Sequence, residues 1–142
     1  MGQSGAIDSS MEKYVSKITR SSRPAWQLYE RLATLKNLGQ LAGNEHVSDV
    51  HATDDECRFT VEGKFSVGLR IVDRTPNSTI KLAGTEDSPL NFTAWIQLKE
   101  VGEYDTAIRI TLHAAVPLLL RMMAKKRIQQ GLDEFAERLA SV

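Results

Sequence analysis

Between residues 47 and 114 the chain places an apolar residue at almost every second position, and it turns back so quickly that only antiparallel pairing is open to it. A first run, 47–53, ends at Asp54-Asp55. Cys57, Phe59 and Val61 then alternate with polar residues up to a turn signal at Glu62-Gly63. Phe65, Val67, Leu69 and Ile71 form the clearest alternation, with Lys64, Ser66 and Arg70 on the other face. Thr75-Pro76-Asn77-Ser78 reads as a turn, Ile80 and Leu82 resume the pattern, and Asp87-Ser88-Pro89 breaks it. Phe92, Ala94, Ile96 and Leu98 follow, then a turn at Val101-Gly102-Glu103, then Ile108, Ile110, Leu112 and Ala114. A period of two marks a strand with one buried face. Connections of about two to seven residues are too short for parallel crossovers, so the six strands form an antiparallel meander.

The flanks supply the remaining elements. Residues 13–19, with Tyr14, Val15 and Ile18, suit an earlier strand. Ser22 is placed as an N-cap with Pro24 in the first helical turn. Trp26, Leu28, Tyr29, Leu32 and Ala33 then recur at helical spacing, and a second short helix over 35–41 ends near Gly43-Asn44. Beyond the meander, Pro117 opens a helix that runs to Ala140 with a stripe of Leu120, Met123/Ala124, Ile128, Gly131/Leu132, Phe135 and Leu139. The expected fold class is α+β: a seven-stranded curved antiparallel sheet around a long C-terminal helix, with two short helices between strands 1 and 2. Seven strands at ~4.8 Å span ~30 Å, whereas a helix with side chains is ~10–12 Å wide. One helix cannot cover that face. The sheet must curl, and either side chains or a cavity fill what remains.

Composition narrows the function classes. The 142 residues fit one domain, with 42% hydrophobic residues, and 18 basic side chains balance 18 acidic ones. Without net positive charge there is no global electrostatic pull toward nucleic acid. The single cysteine, Cys57, can form neither an internal disulfide nor a multi-cysteine zinc site. No apolar run approaches the ~20 residues that span a bilayer. The reading is a cytoplasmic domain over 11–142, with 1–10 as a disordered extension.

Several segments together resemble the START-like superfamily, which includes the birch-pollen-allergen fold and the polyketide cyclase/dehydrase families. They are Lys13-Tyr14-Val15-Ser16, Gln27-Leu28-Tyr29-Glu30-Arg31-Leu32, Leu35-Lys36-Asn37-Leu38, Phe65-Ser66-Val67, Arg70-Ile71-Val72, Thr79-Ile80-Lys81, Trp95-Ile96-Gln97-Leu98 and Gly131-Leu132. The similarity is narrower still to small uncharacterised members from the Bacteroidetes. Thr34 stands where the superfamily often has an acidic residue. The resemblance covers nearly the whole domain and implies a helix-grip fold with a cavity. It does not imply a reaction, since superfamily members bind lipids, sterols, hormones or polyketides and only some are enzymes.

A pocket between sheet and helix would be lined by Phe65, Val67, Leu69, Ile80, Leu82, Phe92, Ala94, Ile96, Ile108, Ile110 and Leu112 from the sheet. Leu120, Met123 and Ala124 would line it from the helix, with Ile128 deeper. The expected ligand is a small hydrophobic or amphipathic molecule, held by a carrier or sensor. A cyclase/dehydrase-like enzyme and a non-ligand interaction protein stay open as alternatives.

Candidate chemistry is sparse. His46, His51 and His113 have no metal-ligand spacing, so neither a metal nor another cofactor is expected. Cys57 lacks the basic surroundings that activate a thiol. Neither a nucleophile elbow nor a phosphate-cradling glycine loop is present, and no catalytic residue is assigned. Tyr14 and Tyr29 are possible polar handles. Arg121, Lys125, Lys126 and Arg127 form a basic run that reads as a solvated face near the pocket mouth. Trp95, opposite Ala94 and Ile96, is expected exposed on the outer sheet face, where it could support a homodimer.

Overall fold

The computed structural model describes residues 11–42, 46–88 and 91–142. The expected N-terminal extension, the helix end at Gly43-Asn44 and Pro89 lie outside them. In chain order come β1 (Met11–Val15), β2 (Thr19–Ser21), α1 (Ala25–Leu32), α2 (Leu35–Ala42), β3 (Val47–Ala52), β4 (Glu56–Val61) and β5 (Phe65–Thr75). Then follow β6 (Thr79–Gly84), β7 (Phe92–Gly102), β8 (Asp105–Ala115), a 3-10 turn (Leu118–Leu120) and α3 (Arg121–Ala140). The sheet is antiparallel throughout, in the order β1-β8-β7-β6-β5-β4-β3, with β2 also on β8.

The meander forms as its alternation dictates, and α3 is its long helical partner. Register shifts between Ser48/His51, Ile71/Asp73 and Glu100/Gly102 put bulges in β3, β5 and β7. Each bulge bends its strand and adds twist, which lets a wide sheet curl around one helix. The principal partners of α3 are β1, β2, β8 and α2. Against β3, α2 approaches so closely that a Cβ on Gly39 would stand 3.2 Å from Ala52 Cβ and 3.3 Å from Val50 Cγ1. Glycine costs a helix interior ~1 kcal/mol and here permits that approach. No helix among the described residues is long and apolar enough to cross a membrane.

Four expectations are corrected. The first strand is not continuous over 13–19: it breaks into β1 and β2, so seven sheet positions hold eight strands, and the two short helices fall between β2 and β3. The break is imposed by α3. Asp133 Oδ1 accepts the Lys17 N–H at 2.7 Å and Gln129 Nε2 donates to Val15 O at 2.8 Å, while Ser16 Oγ takes the Ile110 N–H at 2.8 Å. Ser22 does not cap α1; Pro24 holds the N-cap position, its carbonyl accepting the Gln27 and Leu28 N–H groups at 3.1 and 3.0 Å. The last hairpin turns at Glu103-Tyr104, because pairing continues to Gly102 opposite Asp105. The long helix also starts later than Pro117, with a 3-10 turn before Arg121.

Candidate functional site

Along α3 the packing changes from one end to the other. At its C-terminal end Ala136 and Leu139 are fully buried among Leu28, Leu32, Leu35 and Leu38 of α1 and α2. Ile80, Leu82, Ile96, Ile108 and Ile110 of the sheet belong to the same filled cluster, with Leu69 and Ala94 partly buried against it. Toward the other end a smaller cluster gathers Tyr14, Ala114 and Val116 with the partly buried Phe92, Leu112, Ala124, Ile128 and Leu132. Past it the chain is apolar and uncovered: Leu119, Met122 and Met123 are 92%, 90% and 75% exposed, and Leu118 and Leu120 are exposed too.

The residues expected to line a pocket are therefore distributed over three environments. Ile80, Leu82, Ile96, Ile108 and Ile110 lie in the filled core. Leu69 and Ala94 are partly buried against that core, and Phe92, Leu112 and Ala124 lie in the smaller cluster. Val67 is buried on β5, Phe65 stands in solvent at the start of that strand, and Leu120 and Met123 stand in solvent at the open end.

Between α3 and the paired ends of β3 and β4 lies a cleft of about 910 Å³. Its walls include Val47 and Val61, which pair across the two strands, and Ile128 and Gly131 on the helix. A Cβ added at Gly131 would meet nothing within 4 Å. The rim is polar and charged: His46, Glu62, Arg127, Gln130, Glu134 and Arg138. His46 Nδ1 lies 2.7 Å from Glu62 Oε1, and Arg138 Nη1 donates to Leu41 O at 3.1 Å. Sequence reasoning missed Val47 and Val61, although a glycine in mid-helix was a usable signal for open space on that face. A second cleft, at the opposite end between Trp26 of α1 and Tyr104 of the last hairpin, lies outside the filled core and carries mostly polar atoms. It is a surface groove.

Tyr14 contributes an interior polar group to the smaller cluster. Its ring is 5% exposed and its hydroxyl is buried without a hydrogen-bond partner. Burial pushes the phenol pKa up; Glu12 adds to the rise and Arg121 opposes it. Glu12 and Arg121 themselves approach to 3.6 Å at the start of α3. A buried hydroxyl with unused hydrogen-bonding capacity costs ~1–3 kcal/mol.

Elsewhere the surroundings are quiet. Burial raises the Cys57 thiol pKa, which disfavours the nucleophilic thiolate. Among the described residues no cluster of His, Cys, Asp and Glu could hold a metal ion. The expectation of an exposed Trp95 is corrected: the ring does share the outer face, but His113 stacks edge-on at 4.8 Å and Lys81 Nζ sits 5.7 Å from its centroid, leaving it half-buried.

No family model matches the chain, and no curated protein sequence does either. Solved structures do match. A START superfamily protein from Mycobacterium smegmatis is 15% identical with a TM-score of 0.70, over 92% of this chain and 94% of that one. A conserved protein from Geobacillus kaustophilus is 14% identical with a TM-score of 0.69, over 87% and 90%. The Aha1 dimer from Colwellia psychrerythraea is 17% identical with a TM-score of 0.63, over 91% and 93%. At such identities the likeness concerns architecture, and it makes this chain's fold START-like.

Proposed function

From a START-like fold with one filled end and one open end, we propose that the protein binds a small hydrophobic or amphipathic molecule as a carrier or sensor. The carrying observation is the loose packing of the N-terminal half of α3, which leaves the cleft beside Gly131 and the exposed apolar residues before it. In this reading the ligand's apolar body sits against Val47, Val61, Ile128, Phe92, Ala94, Leu112 and Ala124. Phe65, Val67, Leu69, Leu120 and Met123 close over it. Ile80, Leu82, Ile96, Ile108 and Ile110 form the floor on which it rests. Affinity comes from apolar burial at ~25 cal/mol per Å², and a few polar groups set orientation.

Tyr14 is the inner polar contact and the His46–Glu62 and Arg127/Arg138 rim is the outer one. That arrangement suits an elongated molecule with a polar atom at one or both ends. A cyclase/dehydrase-like reaction would need convergent acid–base groups inside the cavity. The ionisable side chains at the cleft instead stand on its solvent-facing rim, so the carrier reading has the better support. The half-buried Trp95 gives little support to a docking face on the outer sheet.

Native mass spectrometry of the protein purified from cells tests the proposal. The expected result is a retained adduct of lipid-like mass that organic solvent releases. A bare polypeptide mass, together with no thermal stabilisation by any member of a fatty-acid and isoprenoid panel, would reject it.

A further inference from the structure

The solvent face of α3 carries a charge pattern that is its own complement. A shallow groove of about 720 Å³ runs along this face from Met122 to Glu137. Its first half presents Lys125 and Lys126, its second half Glu134 and Asp133, the latter also accepting the Lys17 N–H, and Gln130 and Gln129, the latter also donating to Val15 O, lie at the midpoint. The order runs against the helix macrodipole, which favours anionic side chains near the N-terminus and cationic ones near the C-terminus. The first turn of α3 has no acidic residue, and Arg121 opens it. A lone helix gains nothing from this arrangement, whereas an antiparallel copy supplies acidic groups where the first has basic ones.

We infer that this face binds a second copy of the chain, with two α3 helices packed antiparallel about a two-fold axis between Gln129 and Gln130. The axis sets Lys125 and Lys126 of each copy opposite Asp133 and Glu134 of the other. It also sets Met122, 90% exposed, against the Glu137 end, beside Lys17 and the exposed Ile18. An isologous contact of this kind is the commonest way for identical chains to associate. The face is ~24 Å long at 1.5 Å per residue, which places the contact at the small end of specific interfaces, below ~1,600 Å². The dimer is accordingly weak, and its ion pairs, which lie at a solvent-exposed contact, make it salt-sensitive. The inference does not rest on the proposed ligand.

Sedimentation velocity of the full chain, from low micromolar to submillimolar concentration, tests it. Wild type is expected to dimerise in about 50 mM salt and to weaken roughly tenfold or more in about 500 mM. Lys125→Glu/Lys126→Glu makes the face uniformly acidic, and Glu134→Lys/Glu137→Lys makes it largely basic. Each variant alone is expected to be monomeric, and their equimolar mixture to form a heterodimer, which also demonstrates that both variants fold. A wild type monomeric at every concentration overturns the inference. So does a dimer that persists in both variants alone, or a monomer that instead cosediments with phosphatidylserine vesicles through the basic half of α3.

Discussion

The two ends of α3 belong to one amphipathic helix, yet one end is locked and the other is exposed. Ala136 and Leu139 sit at zero exposure under α1, α2 and the sheet, whereas Leu119 and Met122, three turns and more away, stand almost wholly in water. The difference is one of partners more than of apolar content: both ends carry apolar residues, although at the N-terminal end they are interspersed with Arg121, Lys125, Lys126 and Arg127. At the C-terminal end two short helices supply the second layer that a single helix is too narrow to provide, and at the N-terminal end nothing among the described residues does. Buried packing is therefore concentrated at one end, and exposed apolar surface at the other.

Mutation breaks this comparison most directly at the locked end. Leu139→Ala is expected to cost about 2–5 kcal/mol in urea denaturation, the range for a buried leucine that leaves a cavity. Leu119→Ala or Met122→Ala should stay within about 0.5 kcal/mol. Equal costs at the two ends would remove the distinction. Tyr14→Phe comes next: deleting a buried hydroxyl without a partner is expected to be neutral or stabilising by up to about 1 kcal/mol. A loss of that size would instead reveal a bond to the hydroxyl in solution. Gly131→Ala should stabilise by about 0.5–1 kcal/mol, since the new methyl meets open space in a helix interior; a clear destabilisation would mean that the cleft is closed.

The smallest effect concerns pH. The Arg20 guanidinium hydrogen-bonds Asp105 and holds its carboxyl below the ordinary range, and Thr85, then Arg58, do the same for Asp87. A carboxylate with a lowered folded-state pKa contributes stability above its unfolded pKa and loses it as pH falls through the folded value. Thermal stability should therefore decline slightly on acidification below the ordinary carboxylate range. Arg20→Ala should flatten that slope, and an unchanged slope would show that the exposed pair contributes nothing.

The meander and its partner helix were legible because period two, period 3.6 and turn chemistry are local signals, and Phe65 to Ile71 carries the first of them plainly. The break after Val15 was not legible, because it is written 114 and 116 residues away in Gln129 and Asp133. The same limit applies to the site. Alternation told which residues face inward, but not which of them the short helices would cover, so Ile96 and Phe92 read alike and end in different environments. Val47 and Val61 escaped notice because their place at the cleft follows from strand register opposite Gly131. Trp95 was rightly placed on the outer face, but its cover by His113 and Lys81 depends on cross-strand neighbours.

The central claim, that the open end receives a ligand, is tested most directly by titrating an amphipathic fluorophore such as 1-anilinonaphthalene-8-sulfonate into wild type and Gly131→Phe. The account predicts saturable single-site binding by wild type and its loss in Gly131→Phe, whose ring obstructs the cleft while the far core stays folded. Equal binding by the two proteins, or none by wild type, would contradict it.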